Sequence, residues 1–154
     1  MCLGLLCAAK QHLILYLPFL VLTPGVGLTG ALIAAGVKPS RPAIRRAVTW
    51  LESHQNPDGG WGEDLRSYND PALAGRGEST ASQTAWALLA AGEQDNLATE
   101  HGVRWLAQTQ RADGSWDEPQ YTGTGFPGDF YINYHLYRLV FPVSAIGRYL
   151  GGAL

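Results

Sequence analysis

The chain writes one 17-residue passage twice, and that repetition limits what it can fold into. Ala47–Glu63, AVTWLESHQNPDGGWGE, matches Gly102–Glu118, GVRWLAQTQRADGSWDE, at a shift of 55 positions. Eight of the 17 pairs are identical: Val48/Val103, Trp50/Trp105, Leu51/Leu106, Gln55/Gln110, Asp58/Asp113, Gly59/Gly114, Trp61/Trp116 and Glu63/Glu118. A repeat of this length points to a stacked array of supersecondary units.

Each copy reads as a helix end, a turn and a tryptophan. Ile44, Ala47, Val48 and Leu51 recur at helical spacing before the first turn; Val103, Leu106 and Ala107 do so before the second. Pro57-Asp58-Gly59 and Ala112-Asp113-Gly114 are turn signals, with glycine free to take positive φ. Such a turn can bring Gln55 or Gln110 to the start of a following helix, where its amide would bond backbone groups the helix leaves unpaired. The indoles of Trp61 and Trp116 add flat apolar area beside it. The expected role of the repeat is therefore a structural clasp.

Around the clasps the chain reads as helices at 28–35, 42–54, 80–91, 98–109, 129–139 and 142–150. Gly36 would cap the first. Ser40 and Pro42 would open the second. Thr80-Ala81-Ser82-Gln83 is a capping-box signature, followed by a stripe of Ala81, Ala85, Leu88 and Leu89. Asn96 or Thr99 would open the fourth. Phe130, Tyr134, Tyr137 and Phe141 fall at i, i+4, i+7 and i+11, one face of a helix that Pro142 would end or kink. No run alternates convincingly like a strand.

Residues 1–27 differ in character from the rest. Leu13–Leu22 is apolar, but it is interrupted by Pro18 and is too short to span a bilayer. Lys10 precedes it, yet Thr23–Gly27 makes a poor signal-cleavage region.

Several classes of chemistry find no support. Eleven basic and 13 acidic residues give a net charge of −2, with no nucleic-acid footprint. Cys2 and Cys7 have no histidine at zinc spacing, and His12, His54, His101 and His135 are scattered. Gly123-Thr124-Gly125 is too short for a phosphate loop, and no nucleophile elbow occurs.

The pattern of a small residue, an aromatic or Leu, Gln, and Gly-x-Trp resembles the QW repeat of squalene–hopene cyclases and oxidosqualene cyclases. A looser form occurs in prenyltransferase β subunits. The two copies are followed by TGTGFPGDFY at Thr122–Tyr131 and YHLYRLVFP at Tyr134–Pro142. Together they resemble the C-terminal end of a bacterial squalene–hopene cyclase, from about Leu28 to Tyr149. The resemblance does not cover residues 1–27. It implies an all-α fold, part of an α/α barrel or toroid built from helix pairs with QW-type turns, with residues 28–154 inside that domain. A part of such a ring exposes an apolar edge, so marginal stability alone is expected.

The resemblance also implies a site. In the family, positions matching Gly125, Phe126, Phe130, Ile132, Tyr134 and Tyr137 line the cavity where the polyene folds; Ile132 stands where Leu is common. Gln55, Gly59, Trp61, Gln110, Gly114 and Trp116 would be the structural QW residues. A migrating carbocation offers no hydrogen-bonding handle. Ring faces can stabilise it without capturing it, each for about 0.5–2 kcal/mol when desolvated. The family starts the reaction with an aspartic acid of a D-x-D-D motif, and no D-x-D-D occurs here. Asp58 and Asp113 belong to turns, Asp64, Asp70 and Asp129 are isolated, and Glu63 and Glu118 read as pairing or capping groups. The expectation is no catalytic acid and no turnover by the chain alone. The complete family enzyme converts squalene to hopene or hopanol without metal or organic cofactor. It works at the bacterial cytoplasmic membrane as a monotopic, often homodimeric protein. The rival readings are a non-catalytic α/α module that holds an isoprenoid or a partner helix, and a prenyltransferase-like subunit, which would need zinc ligands the chain does not show.

Overall fold

The computed structural model describes residues 36, 38, 40, 42–91, 96–126 and 130–152. The helix expected at 28–35 and the boundary at residue 27 lie outside the described residues. Four α-helices carry the described fold: α1 Pro42–Ser53, α2 Ala81–Ala91, α3 Leu97–Thr109 and α4 Tyr137–Gly152. Two short 3-10 turns, Leu65–Tyr68 and Pro71–Leu73, lie between α1 and α2. A hairpin of β1 Gly123–Phe126 and β2 Phe130–Ile132 lies between α3 and α4. The architecture is all-α, and its unit is the helix pair: a shift of 55 residues carries α1 onto α3 and most of α2 onto α4.

Helix α2 is the centre of the packing. Ten of its eleven residues are buried, and α1, α3 and α4 all lie against it. Ala81, Ser82, Thr84, Ala85 and Ala87 are small enough to let those neighbours approach on every side. Leu51, Trp61, Leu106, Trp116 and Ala145 complete the core from the other helices and both clasps, against Leu88 of α2 itself.

The helix starts follow their sequence signals, with one diversion. Asn96 Oδ1 accepts the Thr99 amide at 2.9 Å and caps α3. Thr80 Oγ1 accepts the Gln83 amide at 3.2 Å, as a capping box requires. The return bond is rerouted: Thr80 N donates to the Trp61 carbonyl, and Gln83 Oε1 accepts the Glu63 amide at 3.0 Å instead. The cap of α2 is thereby shared with the first clasp.

The structure corrects two expectations near the C-terminus. Residues 130–136 are not helical, and only Tyr137–Leu139 of the helix expected at 129–139 lie in one, at the start of α4. Phe130–Ile132 pairs antiparallel with β1, Gly123 opposite Ile132 and Phe126 opposite Phe130, with a register shift between Thr124 and Phe126. Phe130, Tyr131 and Ile132 are residues that favour a pleated strand, and here that preference outweighs a helical spacing. The four aromatics therefore do not share one helix face; Tyr137 and Phe141 alone of them lie in α4. Nor does Pro142 end that helix, which runs through it to Gly152. The proline leaves the Arg138 carbonyl without its i+4 amide, but its ring is fully buried, so the packing holds the helix through the gap.

Candidate functional site

The two clasps have the same internal geometry. Gly59 and Gly114 sit at φ +94° and +82°, a conformation that favours glycine. Gln55 Nε2 donates to the Gly59 carbonyl at 2.8 Å, and Gln110 Nε2 to the Gly114 carbonyl at 2.9 Å. Trp61 Nε1 donates to the Leu51 carbonyl and Trp116 Nε1 to the Leu106 carbonyl, both at 2.8 Å. Each indole thus ties its turn back to the helix before it. Gln55 also reaches the first turn of α3, but its partner there is the Ala98 carbonyl at 2.8 Å. The contact with backbone at the start of the following helix is made to a carbonyl, and Asn96 takes the Thr99 amide there.

Glu63 and Glu118, equivalent across the repeat, are both buried. Glu118 accepts from Ser82 N at 2.8 Å and Ser82 Oγ at 2.6 Å, and so anchors the second clasp to the start of α2. Glu63 accepts from Ser67 Oγ at 2.7 Å and Gly75 N at 2.9 Å, fixing the connection between α1 and α2. Burial pushes both carboxyls up from their ordinary value, against the pull of these donors. The turn aspartates go the other way. Asp113 is held down by the Ser115 hydroxyl and amide, and Asp64 by its bonds to Arg66.

An aromatic cluster forms where α4 crosses α2. Tyr134 and Tyr137 stack at 4.6 Å with 18° between their planes. Tyr137 meets Phe141 edge-on at 5.2 Å. Behind them stands Trp86 of α2, edge-on to Tyr137 at 5.7 Å and to Phe141 at 5.4 Å. Trp86 Nε1 is buried and has no hydrogen-bond partner among the described residues. Of the residues expected at a cavity, Tyr134 and Tyr137 are brought together here. Phe130 and Ile132 stand on β2, Phe130 half exposed, and Gly125 and Phe126 lie on β1. Asn133 Nδ2 ties the chain after the hairpin to the Glu118 and Gln120 carbonyls, at 2.9 and 3.0 Å, and so joins it to the second clasp.

Sequence reasoning did not single out Trp86. The signal was available, because a shift of 55 places Trp86 on Phe141, and the two rings meet. Among the described residues no three His, Cys, Asp or Glu side chains gather around one point that could hold a metal. His54 stacks on Trp50 at 4.0 Å, while His101 and His135 are exposed. No described helix is long and apolar enough to cross a membrane.

Helix pairs repeated at 55 residues, closed by Gln/Gly/Trp clasps and faced with stacked aromatics, define an α/α-repeat protein. The chain matches the squalene-hopene cyclase C-terminal domain family over residues 25–151, and it belongs to that family. It is 59% identical over 157 aligned residues to a squalene–hopene cyclase of Alicyclobacillus acidocaldarius, covering 69% of this chain and 25% of that protein. It is 54% identical to a squalene–hopene cyclase of Bradyrhizobium diazoefficiens, covering 77% and 19%. A dammaradiene synthase of Dryopteris crassirhizoma is 48% identical, covering 80% and 21%. The chain therefore spans between about a fifth and a quarter of the length of these relatives.

Proposed function

We propose that this chain supplies part of the cavity wall of a squalene–hopene cyclase, an isomerase of triterpenoid synthesis, and contributes no initiating acid. The observation that carries the proposal is the stacked Tyr134–Tyr137 pair, backed by Phe141 and Trp86, in a chain of this family. Gly125, Phe126, Phe130 and Ile132 are assigned to the same wall. Squalene is the assigned substrate, met at the bacterial cytoplasmic membrane.

The assignment is consistent with the chemistry of the carboxyls. An alkene is a very weak base, so the acid that protonates it must be unusually strong. Burial makes Glu63 and Glu118 weaker acids than usual, the opposite of what initiation needs. Ring faces, by contrast, can stabilise a passing cation without bonding to it.

Two experiments test the reading. The purified chain incubated with squalene should yield neither hopene nor hopanol by gas chromatography and mass spectrometry. Exchange of residues 122–141 into the cyclase of Alicyclobacillus acidocaldarius should preserve hopene formation. In that hybrid, Tyr137→Leu or Tyr134→Leu should slow turnover by about 2- to 30-fold, the kinetic equivalent of ~0.5–2 kcal/mol per ring, and release incompletely cyclised products. Unchanged rate and products in both variants would remove these tyrosines from the wall. Hopene from the isolated chain would overturn the absence of an acid.

A further inference from the structure

The aromatic cluster has an outer layer and an inner one. Tyr134, Tyr137 and Phe141 are half-buried. Trp86, behind them and the one aromatic residue of α2, is only 6% exposed. A molecule lying against the outer rings does not reach it.

The other indoles of the two clasps are pinned by polar bonds. Trp61 and Trp116 each spend Nε1 on a carbonyl ten residues back, and Trp105 spends it on Asp58 Oδ2 at 3.0 Å. Trp86 Nε1 bonds nothing among the described residues, although it is buried. A buried donor without an acceptor costs stability, so the polar end of this indole adds nothing to the fold. Its hold on its surroundings is through ring contacts, edge-on to Tyr137 at 5.7 Å and to Phe141 at 5.4 Å.

Tyr137 needs such a support. It opens α4, and Phe141, four residues on, shares its helix face, so both rings reach the same indole. One face of Tyr137 is taken by Tyr134, 4.6 Å away and 18° from parallel. Pro142 leaves the Arg138 carbonyl without its helical amide, so the turn that carries Tyr137 is one hydrogen bond short of a regular helix. Packing takes over where that bond is missing, and Trp86 is the buried ring that Tyr137 packs on.

We infer that Trp86 is a positioning residue: it sets the tilt of Tyr137, and through the stack that of Tyr134, so that the pair meets the polyene at a fixed angle. The inference rests on the reading of the two tyrosines as cavity wall. Trp86 does not touch the substrate. Its size decides how far the pair can lean back, and so how much of the product is fully cyclised.

The test has two arms. In the full chain, nuclear magnetic resonance should show contacts between the Trp86 indole protons and the Tyr137 ring protons. Trp86→Phe should shift those ring protons, because it removes the indole's ring current, while Trp61→Phe, in the first clasp, should leave them in place. Tyr137 protons that Trp86→Phe does not move overturn the inference. In the second arm, residues 42–152 replace the matching segment of the Alicyclobacillus acidocaldarius cyclase. There Trp86→Phe should raise the ratio of incompletely cyclised products to hopene by about 2- to 10-fold, the equivalent of one lost edge-on ring contact. Trp86→Leu, with no ring, should raise it at least as far; Trp86→Phe carries the comparison if circular dichroism shows that Trp86→Leu does not fold. Trp61→Phe, which also loses a buried indole, should leave the ratio unchanged at a temperature where the variants compared are folded. A ratio that moves as far in Trp61→Phe overturns the inference, since any loss of packing would then suffice. Tyr137→Leu separates the two readings. If it changes the products and the Trp86 variants do not, the tyrosines remain wall and the positioning role is overturned. If none of these variants changes the products, the wall falls and the inference falls with it.

Discussion

One methyl group, placed on two different glycines, distinguishes the clasp geometry from a generic helical packing. Gly102 and Gly147 both lie inside α-helices, at ordinary helical φ. In a helix interior, Gly→Ala gains about 1 kcal/mol of propensity. At Gly147 nothing lies within 4 Å of the added Cβ, so Gly147→Ala should keep most of that gain, roughly 0.5–1 kcal/mol. At Gly102 the Cβ would sit 2.6 Å from Trp61 Cζ3 and 3.0 Å from Leu88 Cδ2. Neither neighbour retreats easily. The indole is buried and pinned by its 2.8 Å bond to the Leu51 carbonyl, and Leu88 is part of the core. Overpacking of this kind costs about 1–3 kcal/mol, which exceeds the propensity gain. Gly102→Ala should therefore lose up to about 2 kcal/mol while Gly147→Ala gains. For a chain of this size the two variants should melt roughly 5–10 °C apart, on either side of the wild type. Thermal unfolding followed at 222 nm reads both. A Gly102→Ala chain as stable as the wild type would mean that Trp61 does not press on α3, and the clasp description would fail with it.

Two further outcomes follow from the clasps. Trp116→Phe removes the indole donor from the Leu106 carbonyl inside the core, and should cost about 1–3 kcal/mol in chemical denaturation; a loss below about 0.3 kcal/mol would show that the bond is not made. Glu118 concerns pH. Burial raises its carboxyl above the ordinary 4.5. With the folded pKa above the unfolded one, its contribution is full below 4.5 and is lost as pH rises through the folded value. Glu118→Gln removes that dependence, so the wild type should lose stability relative to the variant as pH rises from about 4 to 7. Melting curves at several pH values check the sign, and a gap that moves in the wild type's favour with rising pH contradicts it.

The clasps were legible because each of their residues has a local mechanism. An Asp-Gly turn needs positive φ, and both glycines have it. A buried indole needs an acceptor, and both have one ten residues back. The hairpin was not legible, because Phe130, Tyr134, Tyr137 and Phe141 fit a helical period by spacing alone. Spacing cannot tell that only the last two lie in α4, and the strand preference of Phe-Tyr-Ile spans just three residues. Trp86 escaped for a different reason. A helix buried on all sides has no polar face to set off its apolar stripe, so one aromatic within it reads as ordinary core. The shift that sets it on Phe141 was the available signal, and contacts between helices place it beside Tyr137. The proposed cavity residues came from family resemblance, since neither composition nor periodicity distinguishes a wall from a core.

The two buried glutamates bear on why such a wall is built as it is. On the proposed reading, a surface that faces a carbocation must keep bases and nucleophiles away from it, and the loops beside the aromatic cluster carry a carboxylate after each tryptophan. Here each carboxylate is turned to structural work. Glu118 is bound by both the hydroxyl and the amide of Ser82, and Glu63 by Ser67 and Gly75. Their lone pairs are spent on donors that the helix start and the connection would otherwise leave unsatisfied. Burial raises their proton affinity, and the donors offset that rise only in part. On the proposed reading, the same bonds that fix the clasps also keep their carboxylates away from the rings of Tyr134 and Tyr137. Glu118→Ala would then act in two separable ways. It would loosen the start of α2, which carries Trp86, and in the hybrid cyclase it would change product distribution through the displaced rings even where the protein still folds. A variant that loses stability but keeps the product pattern would confine Glu118 to the fold.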